Sequence, residues 1–539
     1  MKRLRLPGFL RTSETVVGAA LVIATLSIAS RALGVVRDRI LASTFGAGQT
    51  LDLYYAAFRL PDLVFNLLVL GALSAGFIPI FSSLISRNDD ERAWRLTNNV
   101  LNIIGVALAV LCSAGMLAAP LLVRLIAPGF EPEARESIAS LTRIMFLSPF
   151  LLGISCVVGS VLQSKRRFFV YSLSPIFYNF GIIAGALWLA PRYGVTGLAW
   201  GVVMGSAAHL LVQVPEFFRV GFRFRALLEW RDRSVRAVFA MMTARTFGLA
   251  VTQLNLMAIT IIASSLPSGS LTVFSLANNL QSFPVGIFGI SFAVAAFPLM
   301  SAAEGSGKII ALVSKTFRQI LFFIIPATVL IVSLRAQLVR VILGSGKFDW
   351  SATVLTIDTL AFFAISLFAQ AALPLLSRAF YAQHDSKTPL FTGLGSEAIN
   401  ISLALILSKK LGAPGLALAF TCSSIFNFLM QFILLHRKLG GLDVKRLVRS
   451  LLKFSIAAIF AGLAIQAMKL LVWPFADMTR VWGVLLQASA AGLFGLVIYI
   501  AVCSLLRSEE MMGLWGSLKG RIFRKSRLPV GDSGEARGI

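Results

Sequence analysis

Residues 30–80 read SRALGVVRDRILASTFGAGQTLDLYYAAFRLPDLVFNLLVLGALSAGFIPI. Arg31, Arg37 and Asp38 lie within or just beyond an apolar helix that begins near Val16, and Asp52 and Arg59 open the next one. An ionised side chain at bilayer depth is costly, so it faces a cavity or a partner and marks a pathway. On a helix, Arg31 and Arg37 stand about 9 Å apart along the axis and some 120° apart around it. Arg37 and Asp38, as immediate neighbours, are expected not to face each other, so each needs a partner elsewhere or an anion in a water-filled cavity. The planar guanidinium fork suits phosphate and carboxylate bidentately. The competing reading is that these groups snorkel to an interface or close structural ion pairs.

Working outward, 57% of the 539 residues are hydrophobic and 14% charged, and the mean hydropathy is +0.82. Globular chains sit near ~45–50% apolar and ~25% charged, so this is a polytopic membrane protein. The net charge of +26 comes from short Lys and Arg clusters between apolar runs. Such clusters set topology and meet anionic lipid headgroups; no basic stripe interleaved with aromatics in a soluble segment points to nucleic acid. Cys112, Cys156, Cys422 and Cys503 each fall inside an apolar run without metal-ligand spacing, and His209, His384 and His436 are far apart. No metal, cofactor or disulfide is expected, and the histidines read as packing or interfacial residues. The basic N-terminus leads into a retained first span without a small-residue cleavage site. No P-loop, nucleophile triad or ATPase-sized soluble stretch appears, so the chain reads as no enzyme, and movement is expected to draw on a gradient, the membrane potential or removal of product.

A span needs ~20 mostly apolar residues. The window criterion gives about fourteen, the first near residues 16–42 and the last near 481–506. Connections after even-numbered spans carry most of the cations (Arg87, Arg92 and Arg95; Lys165, Arg166 and Arg167; Arg219, Arg223, Arg225, Arg231 and Arg233), which predicts both termini in the cytoplasm. An internal repeat is visible: Leu60 matches Leu280 at an offset of 220, Pro79 matches Pro298 at 219, and Gly197 matches Gly415 at 218. Each repeat holds an even number of helices, so the halves share one orientation, with the substrate site expected between them. The expected domains are a six-helix N-terminal lobe at 1–217, a six-helix C-terminal lobe at 218–446, an appended helix pair at 447–508 and a basic cytoplasmic tail at 509–539.

Three further features bear on function. Glu397 and Asn400 share one apolar run, with Thr421 or Asn427 on the next span as candidate neighbours. They read either as a site for a proton or monovalent coupling ion or as polar glue between helices. Asn278, Asn279, Gln281 and Ser282 are uncharged polar residues that line a cavity or bond across helices. Pro61, Pro79, Pro284, Pro298 and Gly286–Gly289 interrupt apolar helices at corresponding places in the two halves, which points to hinges or plain kinks.

At these residues the chain resembles the MurJ/MviN family of lipid II flippases, within the multidrug/oligosaccharidyl-lipid/polysaccharide exporter superfamily. The motifs are Ser30-Arg31-x-Leu33-Gly34-x-x-Arg37-Asp38, Phe45-Gly46-Ala47-Gly48, Asp52, Phe58-Arg59-Leu60-Pro61, Gly71-Ala72, Phe77-Ile78-Pro79, Ala127-Pro128-Gly129-Phe130 and Phe380-Tyr381-Ala382-x-x-Asp385-x-Lys387-Thr388-Pro389. The resemblance implies an all-α polytopic fold: fourteen helices, two six-helix parallel repeats around a V-shaped central cationic cavity, and a C-terminal pair. It implies a bacterial inner-membrane protein that moves lipid II, a polyprenyl-diphosphate lipid, by alternating access, in company with cell-wall synthesis machinery. Carried over, Ser30, Arg31, Arg37 and Arg59 contact substrate, while Asp38 and Asp52 pair with the arginines as the cavity changes sides; Asn279 is expected at the substrate on its own polar character, as a cavity-lining donor. The chain departs from the family where an Arg-Arg pair and a Glu are usual (here Phe65, Asn66 and Leu70) and where Asp-Arg and a Glu are usual (here Asn278, Asn279 and Ser282). Both signs are lost together, as in a rewiring of ion pairs. A flippase for another polyprenyl-linked glycan is the nearest alternative; a drug/cation antiporter would want an acid-lined cavity, and a non-transporting scaffold would tolerate Arg31→Ala and Arg37→Ala.

Overall fold

The structure is a computed structural model that describes residues 16–70, 76–513 and 515, with side chains described at all of these except 16–21, 70 and 242–249. The chain is helical along nearly its whole described length. In order, the helices are α1 (Val16–Phe45), α2 (Gln49–Phe65), α3 (Ile78–Ser86), α4 (Asp90–Ile126), α5 (Pro132–Ser164), α6 (Phe168–Tyr193), α7 (Val195–Arg219) and α8 (Arg233–Ala263). They continue as α9 (Ser270–Ser301), α10 (Ser306–Ile342), α11 (Trp350–Ile365), α12 (Leu367–Ala382), α13 (Lys387–Leu411), α14 (Ala413–Lys438), α15 (Val444–Phe475) and α16 (Val481–Leu505). Among the described residues ten are long and apolar enough to cross a membrane, and α11 with α12, bent by 45°, make an eleventh. With α1, α8 and the α2–α3 path added, the order matches the fourteen expected spans. Backbone groups in lipid must bond within their own segment, which is why apolar sequence here becomes helix.

The expected interruptions take one form in both halves. Asn66–Leu70 after α2 and Val285–Ile290 within α9 are π-helical, at the same offset as the sequence repeat. A proline precedes each: Pro61 lies inside α2, and Pro284 stands at the turn itself. Proline removes a backbone donor, and the Ala57 carbonyl that Pro61 leaves free accepts instead from the Thr142 hydroxyl at 3.3 Å. The Gly71-Ala72 motif and the basic segment before Val16 lie outside the described residues.

By packing, the chain falls into two units that do not follow the repeat boundary. One comprises 1–282, 338–366 and 387–427; the other comprises 283–337, 367–386 and 428–539. The division therefore falls inside α9, α10 and α14. The first unit has a core of Phe77, Phe81, Val100, Ile103, Leu108, Val157, Phe217 and Phe222. Within it α6 and α7 pack almost backbone to backbone: a Cβ on Gly181 would collide with Gly205, and one on Gly185 with Gly201. Small residues permit that approach where lipid supplies no hydrophobic drive.

In the second unit the α15–α16 hairpin is tied to α10. The buried Tyr499 hydroxyl donates to the Phe322 carbonyl at 2.9 Å, and the Phe322 and Phe454 rings meet edge to face at 5.5 Å. The buried Arg318 of α10 pairs with Glu509 at 2.7 Å and Glu510 at 2.8 Å, and Arg446 reaches Glu509 at 3.2 Å. The first residues of the expected tail, 509–513, are thus a helical turn held by charge against the unit; residues 516–539 lie outside the described part.

Candidate functional site

Arg37 and Asp38 face each other, contrary to the expectation from their spacing. Arg37 Nε and Nη2 both donate to Asp38 Oδ1, at 3.0 and 2.7 Å. Cβ positions at i and i+1 do diverge, but the four-bond arginine stem curls back across that gap. Where water is scarce, an unpaired aspartate costs more than a bent side chain. The remaining donors and acceptors are shared out across helices. Arg37 Nη1 donates to Asn179 Oδ1 of α6 at 3.1 Å, and Asp38 Oδ2 accepts from Asn279 Nδ2 of α9 at 3.0 Å. Asn279, standing where the family usually has arginine, thus gives Asp38 a neutral donor in place of a second cation. Its neighbours bond locally: Asn278 accepts from Gln281 at 3.0 Å, and the Ser282 hydroxyl donates to the Asn279 carbonyl at 2.9 Å.

Asp52 has a structural role in this state. It is buried in the first turn of α2 and pairs with no arginine among the described residues. Its Oδ2 accepts from the Gly269 N–H at 2.6 Å, and its Oδ1 accepts from the Thr272 N–H at 2.8 Å and the Thr272 hydroxyl at 2.6 Å. Those are the orphan donors at the start of α9, so Asp52 caps that helix from 217 positions away in the chain. Gly269 has φ +92°, and a Cβ there would collide with the Ala47 carbonyl. The same end of the unit is closed by Gly346 at φ +61° against Ser43, whose carbonyl accepts from the Lys347 N–H at 2.8 Å.

The other cations differ in their engagement. Half-buried Arg59 donates through Nε to the Thr260 hydroxyl of α8 at 2.8 Å, and no carboxylate lies within 4 Å of it among the described residues. Asp62 stands one turn on along the same helix. Arg31 is exposed and makes no ion pair or side-chain hydrogen bond among the described residues; Ser30 beside it is half-buried. Arg31, Arg59 and Arg37, in that order, thus form a series from open to fully engaged. Asn66, at a position where the family usually carries charge, donates to the Asp62 carbonyl of its own helix at 2.8 Å.

Beside Glu397, Asn400 finds a partner that the sequence did not suggest. Asn400 Nδ2 donates to Asn255 Oδ1 of α8 at 2.6 Å, whereas Thr421 is turned to the Ser366 hydroxyl and the Phe362 carbonyl. Glu397 Oε2 and Asn400 Oδ1 are buried acceptors without a donor among the described residues. Sequence reasoning missed Asn179, Asn255, Thr260 and Thr272. The one available signal was that each is a polar residue in an apolar run; their partners lie far off in the chain.

The family model described as "Lipid II flippase MurJ" matches residues 41–485. The chain is 30% identical over 494 residues to the probable lipid II flippase MurJ of Thermotoga maritima, covering 89% of this chain and 95% of that one. It is 28% identical over 431 residues to the lipid II flippase MurJ of Burkholderia cenocepacia, covering 78% and 84%. Among solved structures, one titled "Lipid II flippase MurJ, inward closed conformation" superposes with a TM-score of 0.74 at 21% identity, covering 90% of this chain and 98% of that one. An inward-facing multidrug transporter of the MATE family follows the same fold with a TM-score of 0.65 at 15% identity, covering 79% and 99%.

Proposed function

The chain belongs to the lipid II flippase MurJ family, and we propose that it carries lipid II from the cytoplasmic to the outer leaflet of the bacterial inner membrane, with both termini in the cytoplasm. The observation that carries the site assignment is the Arg37–Asp38–Asn279 node, a guanidinium held ready by a carboxylate that is itself held by a neutral amide. A diphosphate offers the same bidentate oxygens as a carboxylate with more charge, so it takes Arg37 from Asp38 on loading. Arg31, with its donors free, makes first contact; Arg59 and Ser30 add donors deeper in. On release Asp38 reclaims Arg37, which keeps the empty carrier from burying a naked cation. Asp52 holds α9 in register and takes no part in gripping the substrate in this state.

Movement of a lipid-linked anion is driven by the membrane potential or by a monovalent ion. Glu397 and Asn400, with their unpartnered buried oxygens, and Asn255 beside them would hold such a cation, an arrangement of hard oxygen donors that fits it. Complementation of a bacterial strain depleted of its own lipid II flippase tests the assignment. Wild type should rescue growth, and membrane-inserted Arg31→Ala and Arg37→Ala should not. Failure of a well-inserted wild type would turn the reading toward another polyprenyl-linked glycan, and rescue by all three would remove the arginines from the mechanism.

A further inference from the structure

Between α7 and α8 runs a strap, residues 220–232, with a regular backbone accounting that its sequence does not advertise. Three asparagines on the first turns of α4 hold it. Asn98 donates to the Arg223 carbonyl at 3.0 Å and accepts from the Arg225 N–H at 2.6 Å. Asn102 donates to the Arg225 and Leu227 carbonyls at 2.8 and 3.0 Å, and Asn99 accepts from the Glu229 N–H at 2.8 Å. The amides thus do for the strap what a neighbouring strand does in a sheet. Phe222 pins it from below, stacked on Phe217 at 4.1 Å in the core of the unit.

The outward side of this fixed strap is chemically uniform. Arg223, Arg225 and Arg231 on the strap, and Arg233 and Arg236 on the first turn of α8 that continues it, are all exposed, and none makes an ion pair or side-chain hydrogen bond among the described residues. The two local acids are already consumed. Glu229 pairs with Arg95 at 2.6 Å, and Asp232 accepts from the Ser234 and Val235 N–H groups as the cap of α8. Between the arginines, Phe224, Leu228 and Trp230 stand 62%, 52% and 55% exposed. Contrary to the expectation of no basic stripe interleaved with aromatics, guanidinium groups and exposed aromatics alternate here, and they match the boundary between phosphate headgroups and acyl chains, where Trp is favoured and arginine binds phosphate bidentately. A strap that merely set topology would need the charge, but neither the asparagine ladder nor the exposed apolar residues.

We propose that this strap is a preorganised docking surface for anionic phospholipid headgroups of the leaflet it faces. The proposal concerns bulk lipid and stands whether or not the chain flips lipid II. The test uses the full chain in nanodiscs, with Trp230 emission taken as the difference between wild type and Trp230→Phe. Brominated phosphatidylglycerol should quench it with a preference of about tenfold or more over brominated phosphatidylcholine, each arginine near an anionic surface being worth up to about fivefold at low salt. The preference should fade at about 0.5 M salt and vanish in the variant carrying Arg→Gln at all five positions. Equal quenching by the two lipids in wild type, or a preference indifferent to salt, would overturn the proposal even if the fivefold variant failed to fold. Trp230 unquenched by either lipid would overturn it too, and would turn attention to an acidic soluble partner.

Discussion

Asp38 and Asp52 are both buried, both lie near the α1–α2 turn and both reach across to α9, yet they are held by different kinds of donor. Asp52 is gripped by two backbone N–H groups and a hydroxyl that belong to a helix end and cannot leave it. Asp38 is gripped by a guanidinium and an amide on flexible side chains, both of which can turn to another acceptor. The first arrangement can only be intact or broken. The second can exchange, which is what a carrier needs where its substrate arrives. Burial and residue type alone would have put the two in one class.

The comparison breaks most visibly in transport. Arg37→Ala should abolish rescue of a depleted strain and destabilise the chain by about 2 kcal/mol, because the buried Asp38 is left without its charge partner. Arg37→Gln with Asp38→Asn should recover most of that stability and none of the transport, as read by thermal unfolding beside growth. A smaller effect, on stability alone, belongs to the other aspartate. Asp52→Ala strands the donors at the start of α9 and should cost about 1–2 kcal/mol in thermal unfolding, while Asp52→Asn, keeping one acceptor, should cost less and leave transport in place. If Asp52→Asn stopped transport in a well-folded chain, the division between cap and switch would fall.

The smallest expected effect lies outside the membrane, at a third acid. Arg95 and Asn99 donate to Glu229 and hold its carboxyl down at about 2. A depressed acid stabilises above its ordinary titration range and loses that contribution as pH falls toward the folded value. The strap should therefore stay docked at pH 5 and loosen only as pH approaches 2, seen as a rise in amide exchange at residues 223–229; loosening already at pH 5 would show that the pair holds nothing.

Fourteen spans, the paired interruptions and the cationic start of the chain were legible in the sequence because hydropathy, proline and charge are local properties. Partnership was not. Nothing near Asp52 announces Thr272, and nothing near Arg37 announces Asn179, since each pairing joins helices separated by well over a hundred residues. The expectation that Arg37 and Asp38 diverge treated side chains as vectors from the helix and left out the length of arginine. The first residues of the tail show the same thing: nothing near Glu509 and Glu510 announces Arg318, far back in the chain and buried beneath them.

The central claim is that Arg37 gives up Asp38 for the diphosphate, and binding tests it most directly. Lipid II affinity would be measured for the full chain in nanodiscs, comparing wild type with Arg37→Gln, Asp38→Asn and Asp52→Asn. Charge-assisted bonds of this kind are worth ~1.5–3 kcal/mol, so Arg37→Gln should weaken binding by about tenfold or more. Asp38→Asn, which removes the competitor, should bind no more weakly than wild type, and Asp52→Asn should match wild type. Unchanged affinity in a folded Arg37→Gln would contradict the account, as would loss of binding in Asp38→Asn.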